Sequence, residues 1–171
     1  MGTRTGVMVV GIRGATGSTL VAAGALQDPA TPRFLLSETG AARTMALPAL
    51  DDLVFGGWDV RTETWSETLA RNGVLSPARL GRAMSRLEET LVFEAAALSE
   101  DHAVVNGECA PAPAGKALLA KLRADVRTFR ERAAADRVVV LYVAGPAKLP
   151  PRETWPADAA AFLAALENGA L

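Results

Sequence analysis

Apolar residues gather along the chain in short blocks that suit two kinds of element. The stretch "GVMVVG" (6–11) is β-branched and unalternating, as expected of a strand covered by helices on both faces. "GIRGATGSTLVAAGALQD" (11–28) follows, with Leu20, Ala23, Gly24 and Leu26 able to share one helical face that ends near Asp28-Pro29. Residues 33–50 mix short apolar patches with Gly40 and Pro48 and read as a partly helical connection. "DDLVFGGWDV" (51–60) predicts a second strand, apolar until Gly56 and Gly57 break it.

Helical signals then resume. "TETWSETLARNG" (62–73) has an acidic first turn and Gly73 as its stop. "SPARLGRAMSRLEETLVFEAAAL" (76–98) offers Ser76 as N-cap, Pro77 at the first helical position, and a stripe of Leu80, Met84, Leu87 and Leu91. A brief strand fits within "HAVVNGECAPAP" (102–113). In "GKALLAKLRADVRTFRERAAAD" (115–136) Leu118, Leu122, Val126 and Phe129 line one side of a helix while Arg123, Arg127 and Arg130 project elsewhere. A further strand, "RVVVLYVAG", a proline-broken loop and a final helix, "ADAAAFLAALENG", complete the chain. This order predicts a single α/β domain over residues 1–171: a Rossmann-type open parallel sheet with helices on both faces.

Composition narrows the chemistry mainly by exclusion. Half of the 171 residues are hydrophobic but only 5% are aromatic, which suits helices packed on a buried sheet. A net charge of -1 supplies no field for phosphate backbones, so no nucleic-acid partner is expected. Cys109 and His102 are each the sole residue of their kind, so neither a disulfide nor a metal site is expected. No apolar run approaches a membrane span of about 20 residues, and the amino terminus lacks a secretory pattern. A soluble cytoplasmic protein fits these features.

Chemistry concentrates in the glycine turn. Gly11, Gly14 and Gly17 form G-x-x-G-x-x-G between the first strand and first helix. The first allows a sharp turn, the second lets backbone approach a pyrophosphate, and the third lets helix sit close on strand. Amides at the helix foot then favour an anion, and Ser18 and Thr19 add hydroxyl donors. A triphosphate loop needs a lysine that this turn lacks. A dinucleotide site also wants an acid after the second strand. Glu38, 21 residues beyond Gly17, and Asp59, at the end of the better strand, both qualify on spacing and pattern.

Taken in order, "VMVVGIRGATGSTL", "DDLVFGGWDV" and "LLAKLRADVRTFRERAAADRVVVLYVA" resemble the amino-terminal half of the myo-inositol-1-phosphate synthase family. The resemblance implies tightly held NAD, reduced and reoxidised in each turnover as glucose 6-phosphate is isomerised to an inositol phosphate for phospholipid biosynthesis. It favours Asp59 as the ribose acid over Glu38. It places the pyrophosphate on Gly11, Gly14, Ala15, Thr16, Gly17, Ser18 and Thr19, and sets Arg123 and Asp125 in a helix bordering the cofactor.

Two departures stand out: Ala15 and Thr16 replace the family's polar pair, and "GPAKLPP" replaces a polar segment beside the nicotinamide. Lys148 in that loop reads as a loop cation. The family's tetramerising sheet and sugar-phosphate lysines lie downstream of the last helix, so catalytic residues are not assigned.

Three functions follow as expectations. The first is the NAD-binding part of an inositol-phosphate-synthase-like isomerase, which takes its sugar phosphate only when completed by a second half. The second is a non-catalytic nucleotide-binding or regulatory subunit. The third is an atypical NADP-dependent reductase in which Arg13 meets the 2′-phosphate, weakened by the lack of a Tyr-x-x-x-Lys pair, the one tyrosine, Tyr142, lying in a strand of buried character. A domain of this kind exposes apolar surface where its other half docks, so homo- or hetero-association is expected.

Overall fold

β1 (Thr5–Val10) is the hub of a parallel sheet, pairing β2 (Leu53–Asp59) on one side and β4 (Arg137–Tyr142) on the other. β3 (Leu91–Glu94) adds to β2, giving the order β3-β2-β1-β4. The computed structural model describes residues 4–26, 52–73, 77–95, 115–144 and 156–168. Parallel neighbours need crossovers, and helices supply them. α1 (Ala15–Ala25) lies between β1 and β2, α2 (Trp65–Asn72) and α3 (Pro77–Glu88) between β2 and β3, α4 (Gly115–Arg132) between β3 and β4, and α5 (Ala159–Glu167) last.

The period-2 alternation of β1 divides the core into two layers. Val7 and Val9 face α1, α2 and α3, where they pack with Val21, Ala22, Trp65, Leu69 and Leu87. Met8 faces the opposite way, against Trp58, Phe129 of α4, Ala133 and Ala135. Both faces of the central strand are therefore dry, which is why "VMVV" carries no polar alternation. The expected α/β architecture is the one observed.

Four local expectations are corrected. Residues 91–94 form β3 rather than continuing the preceding helix, which ends at Glu88, so Leu91 leaves the proposed stripe. Gly56 and Gly57 do not end β2, because ladders to β1 and β3 hold them from both sides. The buried face of α1 is Gly17, Ser18, Val21 and Ala22, while Ala23 is exposed. Finally, Tyr142 is 66% exposed, and among the described residues β4 stands at the sheet edge rather than inside it. Glu38, residues 33–50, Ser76, residues 102–113 with His102 and Cys109, and Lys148 lie outside the described residues.

α2 illustrates the local logic of the helices. Thr64 accepts from the Glu67 amide while Glu67 reaches back to the Thr64 amide, a capping box that supplies partners at the helix start. Gly73 ends it in the left-handed region, φ 62°. Among the described residues no helix is long and apolar enough to cross a membrane.

Candidate dinucleotide site

The glycine turn joins β1 to α1 at the carboxyl end of the sheet. Gly11 has φ +81° and lies so close to the chain after β4 that a Cβ would sit 3.0 Å from Ala144 Cα. Gly17 is tighter still, since its Cβ would meet Gly11 O at 2.5 Å and Ile12 Cα at 2.8 Å. These contacts fix how α1 is rotated, which explains its buried face.

Inside the turn, the Gly11 and Ile12 amides donate to Trp58 O, Gly14 to Gly11 O, and Ser18 to Gly14 O. Among the described residues the amides of Ala15, Thr16 and Gly17 have no acceptor, and Gly14 provides no side-chain cap. Three unsatisfied donors at the positive end of a helix dipole form an anion cradle. The exposed Ala15 and Thr16 leave it open to solvent.

Asp59 ends β2 beside this cradle and is 5% exposed. One carboxylate oxygen accepts from the Arg13 amide at 2.6 Å and the other from the Arg61 amide at 3.0 Å. A carboxylate offers about four acceptor positions, and these two backbone amides take two of them. The acid is thus built into the turn as well as placed next to it.

Ser18 is fully buried, and Asn72 Nδ2 donates to its Oγ at 2.8 Å. The hydroxyls of Ser18 and Thr19 both reach Ala15 O, at 3.2 and 2.7 Å. Both therefore turn back onto the first turn of α1. The Arg13 guanidinium donates to Arg61 O at 2.8 Å and lies 5.9 Å from the Trp65 ring centroid. Its Nε is buried without a hydrogen-bond partner among the described residues. Burial pushes its pKa down, while the charges of Asp59 and Glu63 oppose the shift. Arg71 pairs with Glu63, and this hydrogen bond raises the guanidinium and lowers the carboxyl.

On the opposite face, Asp125 of α4 accepts from Trp58 Nε1 at 2.9 Å and from Lys121 Nζ at 2.9 Å. Arg123 is exposed and lines a cavity of about 680 Å3. That cavity also meets Val10, Trp58, Ala95 and Tyr142, which lie at or next to the carboxyl ends of all four strands. A second cavity, about 720 Å3, is lined by Arg13, Thr64, Trp65 and Ser66. In an open α/β sheet, ligands bind in the crevice outside the strand ends.

The structure therefore gathers residues 11–19 and Asp59 into one site, and brings Asp125 to it only through Trp58. Sequence reasoning missed the partners from α2, Arg71 and Asn72. A capping box at Thr64 and Glu67 marks where this helix starts, but no local signal places its far end, Arg71 and Asn72, against the turn.

With this geometry established, comparison with known proteins becomes specific. The NAD-binding family model described as myo-inositol-1-phosphate synthase matches residues 40–170. The chain belongs to the myo-inositol-1-phosphate synthase family. Inositol-3-phosphate synthase 1 of Bacteroides thetaiotaomicron is 29% identical over 155 residues, a match covering 82% of this chain and 36% of that protein. The Mus musculus protein of the same name is 29% identical over 174 residues, covering 82% of this chain and 31% of its own. The crystal structure of inositol-3-phosphate synthase from Caenorhabditis elegans superposes with a TM-score of 0.74 at 18% identity, over 99% of this chain and 40% of that one.

The chain thus spans about a third of the length of the curated relatives it matches. It is homologous to the NAD-binding domain of inositol-3-phosphate synthase. The family match contains the β2 acid and α4 but begins beyond the glycine turn, so the cradle rests on its own geometry.

Proposed function

We propose that residues 1–171 form an NAD-binding domain of an inositol-3-phosphate-synthase-like isomerase, converting glucose 6-phosphate to inositol phosphate in the cytoplasm with residues beyond these. The single observation that carries the reading is three bare amides at the foot of α1, beside a buried acid at the end of β2. The amides of Ala15, Thr16 and Gly17 take the pyrophosphate. Asp59 takes the ribose hydroxyls. Gly11, Gly14, Ser18 and Thr19 hold the turn in shape, while Asp125 steadies the Asp59 strand end through Trp58 and Arg123 flanks the crevice at the strand ends.

NAD, when bound, supplies reversible hydride transfer. This chain's own contribution is to bind and orient it. The row of exposed apolar residues on β4, with Val140 at 51% and Tyr142 at 66%, favours association with a second polypeptide or copy.

Mass spectrometry of gently purified protein tests the reading, with co-purified NAD as the expected result. Calorimetry with NAD and NADP then separates it from the reductase reading, in which the Arg13 guanidinium, held on Arg61 O near the strand end, meets the 2′-phosphate. A preference for NADP of about tenfold, or 1.4 kcal/mol, selects the reductase, and no binding of either nucleotide rejects both.

A further inference from the structure

The turn that offers the three amides is poorly equipped to hold itself still. Glycines fix few backbone angles, and the N-cap Gly14 supplies no side-chain cap, unlike Thr64 of α2. Its rigidity has to come from neighbours. Asp59 holds the Arg13 amide from the β2 side. Trp58 O of the same strand holds the Gly11 and Ile12 amides, and further holds come from the end of α2.

We propose that Asn72 is the positioning residue of the dinucleotide turn, stapling it into ligand-ready shape before the nucleotide arrives. The inference rests on the reading that the turn takes a pyrophosphate. Asn72 Nδ2 donates to Arg13 O at 3.1 Å and to Ser18 Oγ at 2.8 Å. These two acceptors flank residues 14–17, the stretch that carries the bare amides, so one side chain bridges the cradle from end to end. Both Nδ2 hydrogens are used, and Oδ1 accepts from Arg71 Nη1 at 2.8 Å, which fixes the orientation of the amide.

Arg71 Nη2 also donates to Arg13 O, at 3.0 Å, but this side chain is exposed and shared with Glu63. Asn72 is half-buried and anchored by the helix it ends, whose Trp65 and Leu69 sit in the core. The backbone of Arg13 is therefore gripped at its N–H by Asp59 and at its C=O by α2. Asn72 contributes by lowering the ordering needed on binding, the usual route by which preorganisation strengthens affinity.

The test uses the full chain with Asn72→Ala and the isosteric Asn72→Asp, which keeps the volume, loses the donors and adds a negative charge, so that its exchange without ligand is the reading that counts. Calorimetry reads NAD affinity, and hydrogen exchange reads the hydrogen-bonded amides of Gly14 and Ser18 against those of Val7, Met8 and Val9. The expected result is an NAD Kd raised about tenfold in both variants. Exchange at Gly14 and Ser18 accelerates without ligand, β1 is unchanged, and saturating NAD restores protection. Unchanged exchange at Gly14 and Ser18, unchanged affinity, or equal acceleration in β1 overturns the proposal. If Asn72→Ala does not fold, Asn72→Asp decides by its exchange without ligand. A wild-type chain that takes up no NAD defeats the dinucleotide reading and this inference with it, whereas variants that bind as well as wild type defeat only the role of Asn72.

Discussion

Replacing Asp59 by Asn probes the site at its most connected point. The carboxylate is buried and accepts two backbone amides, from Arg13 at 2.6 Å and Arg61 at 3.0 Å. An asparagine has one acceptor oxygen, so in either orientation its NH2 confronts one of those N–H groups. A hydrogen bond to a charged group is worth about 1.5–3 kcal/mol, and the stranded donor adds to the loss. A destabilisation of about 2 kcal/mol is expected, roughly a thirtyfold change in the folding equilibrium. For a chain of this size that corresponds to a fall in Tm of roughly 4–8 °C.

Urea titration followed by tryptophan fluorescence measures it, with a midpoint lower by about 1 M and an unchanged slope. Nucleotide binding falls separately, because the ribose diol loses a charged acceptor, and the NAD Kd should rise about ten- to a hundredfold. A variant as stable as wild type, within about 0.5 kcal/mol, shows that the two amides do not depend on the charge and refutes the placement of Asp59 in the turn.

Three further outcomes are expected. Gly17→Ala forces a Cβ to within 2.5 Å of Gly11 O, so stability falls by about 1–3 kcal/mol in chemical denaturation; wild-type stability there means the helix does not sit this close to the turn. Glu63 is held below its ordinary value near 4.5, chiefly by the Arg71 hydrogen bond, so the pair stabilises the fold above that pH and the gain is lost as pH falls through the lowered value. The pair is partly exposed, so the gain is under about 1 kcal/mol, and Glu63→Gln should flatten the acid limb of the stability–pH curve; an identical limb removes the pair from the account. Lysines at Val140 and Tyr142 should abolish concentration-dependent association in sedimentation experiments, and a variant that still associates places the contact elsewhere.

The sequence by itself determined what is local. "VMVV" reads as a strand dry on both faces because no residue in it is polar, and the three glycines mark a strand–turn–helix junction because only bare backbone fits so close to Gly11 and Ile12. The Leu122, Val126 and Phe129 stripe of α4 follows from helical spacing alone. Tertiary structure decided whatever depends on a partner distant in the chain. "LVFE" is a strand only because β2 lies alongside it, and Tyr142 is exposed on a strand that forms the sheet edge among the described residues. The tie from Trp58 to Asp125 spans 67 positions, and that from Asn72 to Ser18 spans 54. Spacing carries no information about such pairs, since a hydrogen bond requires two groups to meet in space and the chain between them can take any path that closes.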